Sequence, residues 1–188
     1  MREEIRFLGI DDGPFDKFNE KDKEVLVIGS VYRGNKFLDG LISCHVEKDG
    51  EDSTEKIIKM INNSKFKEQI RCVFLDGIAV GGFNIVNPEK LGKKTNIPVI
   101  VIIRKYPDFE ELFNAMKKAG KEKYIEFIKK LPEPKKHEDI WFQNFNIEDK
   151  KAEEFIEMSR NFSNIPECLR ASHLIASGIK KGESKGQA

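Results

Sequence analysis

The chain has 188 residues, enough to bury the core of one domain. Apolar residues make up 39% and charged residues 35%, and the net charge of +1 neither favours nor excludes a nucleic-acid partner. The longest apolar run, 98–103, is too short to cross a bilayer, and MREEIRFLG predicts no signal peptide, so we expect a cytoplasmic protein with no membrane partner.

The first half of the chain predicts three strands joined by short connections, followed by a helix. The strand patterns cover 5–11, 24–32 and 37–46, and the connections are a turn at Asp12-Gly13-Pro14, a polar loop at 19–23 and a turn at 33–35. Isoleucines at helical spacing then predict a helix over 53–63.

In the second half, strands and helices alternate. We predict strands over 70–76 and 98–104, a glycine-rich loop and a short helix over 88–94 between them, and one or two amphipathic helices over 109–131. A Pro/Lys linker at 132–137, an edge strand at 141–145, helices over 148–160 and 166–179, and a polar tail at 180–188 complete the chain. The three cysteines, Cys44, Cys72 and Cys168, fit no zinc or CxxC pattern and are interpreted as small apolar groups in a reducing compartment.

This order of elements predicts a mixed α/β sheet of five or six strands in a single domain. Three antiparallel strands come first, and the later strands are parallel because each is reached through a helical crossover. The arrangement is ribonuclease H-like. It brings carboxylates from strand one, from the start of the first helix and from strand four to one edge: Asp11 (or Asp12), Asp52 and Asp76.

Several segments resemble the archaeal endonuclease dU family, which is similar in turn to endonuclease V. They are GIDDGPF, LDG at 38–40, DGEDST at 49–54, FLDGIAVGGFNIVN at 74–87 and IPECLRASHLIASG at 165–178. The resemblance implies that Asp11 and Asp76 are catalytic aspartates and that Arg104 takes the place of a lysine at the end of a strand. The helix-borne glutamate of endonuclease V has no counterpart in the motifs here, so Asp52 is assigned by topology alone. His173 lies in the segment that resembles the last helix, where a polar side chain helps to hold a metal or its water.

The resemblance therefore implies a metal-dependent endonuclease that acts on DNA near deoxyuridine or another deaminated base. Asp11, Asp12, Asp52 and Asp76 would supply the oxygen ligands that Mg²⁺ prefers, with Mn²⁺ as a substitute. Arg104 would hold the scissile phosphate. The loop 77–84 would approach an extruded base, with contacts from Gly77, Gly81, Gly82, Phe83, Asn84 and His173.

Each of these residues also has a simpler interpretation. Asp12 and Asp76-Gly77 occur in common turn sequences, Asp52 is a good helix-capping residue, and Arg104 could be a solvated strand end. His173 could equally be a satisfied core histidine. Two other functions stay open: a nucleic-acid-binding protein on the same fold that does not cleave, and a phosphotransfer enzyme suggested by the aspartyl-phosphate-like run 49–54.

Overall fold

A computed structural model describes residues 5–16 and 23–184. Within these residues the main sheet has seven strands in the order β3-β2-β1-β4-β7-β9-β8. The bounds of its strands are β1 Arg6–Asp12, β2 Glu24–Arg33, β3 Phe37–Glu47, β4 Ile70–Asp76, β7 Val99–Ile103, β8 Lys135–His137 and β9 Ile140–Phe145. A separate small hairpin is formed by β5 Ala79–Val80 and β6 Asn84–Ile85.

The predicted topology is confirmed. Strands β1, β2 and β3 pair antiparallel, whereas β1, β4 and β7 run parallel because α1 and α2 carry the chain back between them. The helices are α1 Ser53–Asn62, α2 Pro88–Thr95, α3 Phe109–Lys118, α4 Ile125–Lys129, α5 Asp149–Ser159 and α6 Glu167–Lys181. No helix in the described ranges is long and apolar enough to span a bilayer.

Two details differ from the sequence-based prediction. The Pro/Lys segment at 132–137 was expected to be a linker, but its last three residues pair with β9 and add the seventh strand. The strand predicted at the edge, 141–145, is interior instead, because β9 lies between β7 and β8. The run 109–131, predicted as one or two helices, is two, because Gly120 has a positive φ of 68° and a short 3₁₀ turn, Glu122–Tyr124, follows it. Most of the loop predicted at 19–23 and the end of the tail predicted at 180–188 lie outside the described residues.

The central strands of the sheet are covered on both faces, and alternate residues of these strands belong to different layers. In β1, Leu8 and Ile10 pack in the layer that contains the buried isoleucines of α1, while Phe7 packs in the layer that contains α5 and α6. Cys72 is a buried free cysteine in this second layer, as predicted, and so is Cys168, whereas Cys44, also expected to be a small group in the core, is only half-buried. This alternation decides which polar side chains meet at the edge of the sheet.

Candidate active site

The carboxyl ends of β1, β4 and β7 bring three predicted site residues to the face covered by α6. The register pairs Ile10 with Leu75, so Asp11 and Asp76 follow at the same level on neighbouring parallel strands. Asp76 pairs in turn with Ile102, and Arg104 lies two residues further along on the same face. The prediction that the ends of strands one and four converge is therefore confirmed.

The carboxylate of Asp76 forms an ion pair with Arg104. Arg104 Nη2 donates to Asp76 Oδ2 at 2.7 Å, and the exposed fractions of the two side chains are 41% and 19%. Burial raises the pKa of Asp76, and the hydrogen bond from Arg104 lowers it, with a net increase. The negative charge of Asp11 also raises this pKa, which indicates that the two aspartates interact electrostatically.

Asp11 is paired with His173 of α6. The distance from His173 Nδ1 to Asp11 Oδ2 is 2.9 Å, and Asp11 is buried while His173 is about one-third exposed. The hydrogen bond with Asp11 raises the pKa of His173, and burial opposes this increase. His173 is therefore not enclosed in the core, and its imidazole contacts the first-strand aspartate at the edge of the open cavity.

The position of His173 depends on close packing between α6 and the first two strands. Ser172 Oγ donates to the carbonyl of Gly9 at 2.8 Å, and Ser30 Oγ donates to the carbonyl of Cys168. Gly9 leaves space for the helix backbone, because an added Cβ would lie 2.3 Å from the carbonyl carbon of Cys168. Sequence reasoning missed Gly9, Ser30 and Ser172, although a glycine inside a strand is a signal of close backbone approach.

Asp12 points to the opposite face of the sheet from Asp11, as expected for consecutive strand residues. Its Oδ2 accepts a hydrogen bond of 2.7 Å from the backbone N–H of Gly81. Burial, followed by repulsion from Asp11, raises the pKa of Asp12 to about 7. Asp12 nevertheless borders the same open cavity of about 450 Å³ as Asp11, Asp76, Arg104 and His173.

Asp52 does not border this cavity. It occupies the N-cap position of α1, but its carboxylate accepts hydrogen bonds from the N–H of Glu47 at 3.1 Å and from Asn84 Nδ2 at 2.7 Å, and it pairs with Lys56 at 2.8 Å. Burial raises its pKa, yet these partners produce a net decrease. The third carboxylate of the cavity is therefore Asp12, and the assignment of Asp52 as a metal ligand does not fit this placement.

The glycine-rich loop is also bound more tightly to the protein than predicted. The N–H of Gly81 donates to Asp12, and the N–H of Phe83 donates to Asp49 Oδ1 at 2.8 Å. Gly82 has a φ of 91° and packs so closely on Asp49 that a Cβ would lie 2.2 Å from Oδ1. These contacts hold the loop against the turn that follows β3.

The two residues after Gly82, Phe83 and Asn84, also make their contacts within the protein. Asn84 is fully buried, where its amide nitrogen donates to the carbonyl of Glu47 and its oxygen accepts from the N–H of Ser53. Phe83 packs beside Ile85 in an apolar cluster with α3 and α4. Asn84 therefore holds the start of α1, and this structure does not offer its amide to a base.

Gly77 is the first residue of the loop 77–84 and directly follows Asp76. Its φ is 73°, and an added Cβ would have no neighbour within 4 Å. Asp76 and Gly77 form one end of an apolar cavity of about 300 Å³, whose other walls come from β7, α3 and α4, namely Val101, Ile103, Phe109, Leu112 and Ile128. Asp76 therefore borders both this apolar space and the acidic cavity, while Val101 and Ile103 belong to the layer that contains α1.

Comparison with known proteins identifies the family. The family described as Endonuclease dU matches residues 3–180. The chain is a member of the endonuclease dU family. A UPF0215 protein of Methanothermobacter thermautotrophicus is 42% identical over 193 residues, with 100% of this chain and 94% of the relative covered. A UPF0215 protein of Methanocaldococcus jannaschii is 41% identical over 95% of this chain and 96% of the relative.

Solved structures confirm that the endonuclease dU fold is ribonuclease H-like. A protein of unknown function from Archaeoglobus fulgidus has a TM-score of 0.85 at 38% identity, covering 93% of this chain and 98% of that one. Ciona intestinalis endonuclease V, crystallised with DNA that contains an inosine, has a TM-score of 0.63 at 14% identity, covering 97% of this chain and 92% of that one. The family and the fold together support a nuclease.

Proposed function

We propose that this endonuclease dU family member is a metal-dependent endonuclease that hydrolyses a phosphodiester bond in DNA near deoxyuridine or another deaminated base. The observation that carries the proposal is the convergence of Asp11 and Asp76, which follow the paired Ile10 and Leu75 on parallel strands. Carboxylates at this edge of an α/β sheet are placed where ligands bind. The DNA complex of Ciona endonuclease V, a protein of the same fold, adds support.

The donor set fits a hard divalent cation. Within 5–16 and 23–184 no three His, Cys, Asp or Glu side chains form a preformed metal cluster. However, Mg²⁺ keeps several waters and needs few protein ligands, all of them oxygens. Burial raises the pKa values of Asp12 and Asp76, and repulsion from Asp11 adds to both increases, so a bound cation would offset the cost of keeping these carboxylates ionised. Mg²⁺ held by Asp11, Asp76 and Asp12 would activate a water and stabilise the leaving oxygen.

The side chains of Arg104 and His173 would act on the substrate and on the carboxylates. Arg104 presents a partly exposed guanidinium beside Asp76, and this group can bind two oxygens of the scissile phosphate. His173 would hold the Asp11 carboxylate in one orientation through its Nδ1 contact. Both residues lie on the face of the sheet that carries Asp11 and Asp76.

The base would enter the apolar cavity beside Gly77. Extrusion of a base costs least when it is damaged or mispaired, and an apolar pocket next to the phosphate site can accept its ring. Ala79 borders this cavity and is exposed. We expect Ala79→Leu to reduce the preference for uracil- or hypoxanthine-containing DNA over unmodified DNA of the same sequence. A variant that keeps full lesion preference would contradict this placement of the base.

The nuclease proposal is tested by incubating a labelled duplex containing uracil or hypoxanthine with Mg²⁺ or Mn²⁺. We expect wild type to nick the strand, and Asp76→Asn and Asp11→Asn to lower the rate by about a hundredfold or more. Asp149→Asn, an exposed aspartate at the start of α5, is the matched control and should nick at the wild-type rate. Metal-independent nicking, or nicking that survives both site substitutions, would refute the proposal.

A second candidate is a nucleic-acid-binding protein that does not cleave. It is favoured by one observation: Asp11 and Asp76 already have side-chain partners within the protein, His173 and Arg104. Binding of the same duplex without metal-dependent nicking by wild type would support this alternative.

A further inference from the structure

A second open cleft adjoins the acidic cavity across Arg104. It has a volume of about 570 Å³, and Arg104 borders both spaces. Its other side is formed by the loop 160–166 between α5 and α6 and by Arg170 in the second turn of α6. Arg104 can therefore contact molecules in either space.

Phe162, at the rim of this cleft, is 83% exposed. Its backbone is nevertheless fixed, because the N–H of Phe162 donates to Glu167 Oε1 at 2.9 Å. Glu167 is 2% exposed, and its other oxygen accepts from Arg170 Nε at 2.9 Å. One buried carboxylate thus fixes both the loop that carries the aromatic ring and the neighbouring arginine.

An exposed phenylalanine gains little from folding, since its ring stays in water. Such a ring held beside cations suits a partner that has flat apolar groups and negative charges. Arg104 and Arg170 supply the cations, and guanidinium groups bind phosphate oxygens in pairs. The cleft also contains an acid, Asp139, which accepts a hydrogen bond from Asn164, and its negative charge disfavours a phosphate at that position.

We propose that this cleft binds the nucleotides next to the scissile phosphate, with one base stacked on Phe162 and one phosphate on Arg170. The inference rests on the proposed function, because it takes Arg104 as the phosphate contact shared by the two spaces. Stacking on a side chain requires an unstacked base, so the occupant is a single strand or a locally opened duplex. Phe162 is then a substrate-positioning residue outside the acidic cavity.

The test is binding of a fluorescent single-stranded oligodeoxythymidylate, measured by anisotropy in Mg²⁺. All proteins carry Asp76→Asn so that the strand is not cut. Adding Phe162→Ala should weaken binding about five- to a hundredfold, the range for loss of one stacked base, and Phe162→Trp should restore it. Adding Arg170→Gln should weaken binding. It should also lower the slope of binding affinity against salt concentration by about the amount expected for one phosphate contact.

Two matched controls separate the cleft from general surface effects. Phe37→Ala removes another exposed phenylalanine, on the edge strand β3, and Arg71→Gln removes an exposed arginine at the amino end of β4. Neither should change binding more than about twofold. With an oligomer of abasic sites, the Phe162→Ala effect should vanish because no base remains to stack.

The outcomes distinguish this inference from the nuclease proposal. If Phe162→Ala binds like its parent, or the parent binds no oligonucleotide, the cleft assignment is overturned even where wild type nicks DNA. If the Phe162 effect is found and wild type does not nick, the strand-binding cleft is supported and the cleavage proposal fails.

Discussion

Gly9 in β1 lies directly against the backbone of Cys168 in α6, and an added Cβ would come within 2.5 Å of three atoms of that helix. Two residues further along β1 is Asp11, and five residues further along α6 is His173. The hydrogen bond between these two side chains therefore depends on a backbone contact with no room for a methyl group.

Gly9→Ala should destabilise the fold by about 3 kcal/mol or more, because overpacking against backbone cannot be relieved by a side-chain rotation. The measurement is urea unfolding of wild type and variant. Gly178→Ala in the same helix is the control, since nothing lies within 4 Å of its Cβ position. That substitution should stabilise the protein by up to about 1 kcal/mol. A Gly9→Ala protein of wild-type stability would mean that α6 packs less closely than described.

Asp12 should make the metal-free protein less stable as pH rises from about 4 to 8. Folding raises the pKa of the Asp12 carboxyl from 3.8 to about 7. Between these two pH values the folded state binds more protons than the unfolded state, which stabilises it. This stabilisation is lost as the pH rises towards 7 and the carboxyl ionises. Thermal unfolding in EDTA should show Asp12→Asn melting several degrees above wild type at about pH 8, with a smaller difference near pH 4. A difference independent of pH would contradict the assigned ionisation.

Mg²⁺ should stabilise wild type against thermal unfolding, and the effect should increase with pH because the cation competes with protons for the same carboxylates. Differential scanning fluorimetry across a Mg²⁺ titration at two pH values measures it. Asp11→Asn and Asp76→Asn should lose most of the increase, whereas Asp52→Asn should retain it, since Asp52 lies outside the cavity. If Asp52→Asn abolished the response instead, the topology-based assignment of Asp52 would be restored.

Removal of the His173 contact should raise the Mg²⁺ concentration needed for nicking. His173→Ala leaves Asp11 without its Nδ1 partner, and a loss of about tenfold in metal affinity is expected for a residue that orients a ligand. His173→Asn places an amide N–H close to the position of Nδ1 and should recover part of that affinity. The readout is the nicking rate against Mg²⁺ concentration. Equal metal dependence in all three proteins would leave His173 with no role in positioning Asp11.

Much of the fold could be predicted from the sequence because its strands carry local signals. Dense valine and isoleucine runs with turn residues between them placed β1 to β4 to within a residue or two, and the parallel crossover rule then placed Asp11 beside Asp76. The strand β8 was missed because Lys135-Lys136-His137 has no local strand signal, and its pairing with β9 is a tertiary contact.

The site was less predictable than the sheet because its details depend on loop packing. Topology suggested that Asp52 at the start of α1 would reach the aspartates, but the Asn84 side chain and the Glu47 backbone hold its carboxylate elsewhere. The glycines at 81 and 82 resembled a ligand-binding loop, yet they serve close contacts with Val25, Val46 and Asp49. The sequence alone does not indicate which neighbouring atoms a glycine accommodates.

The pairing of Asp11 with His173 also has a consequence for synthesis. The two residues are 162 positions apart, and β1 leaves the ribosome long before α6 does. Until α6 packs against the sheet, the face of β1 that carries Phe7 is not covered by this helix, and Asp11 has no hydrogen bond with His173. In a nascent polypeptide the candidate site is therefore expected to be completed only when α6 has been synthesised and has packed against β1.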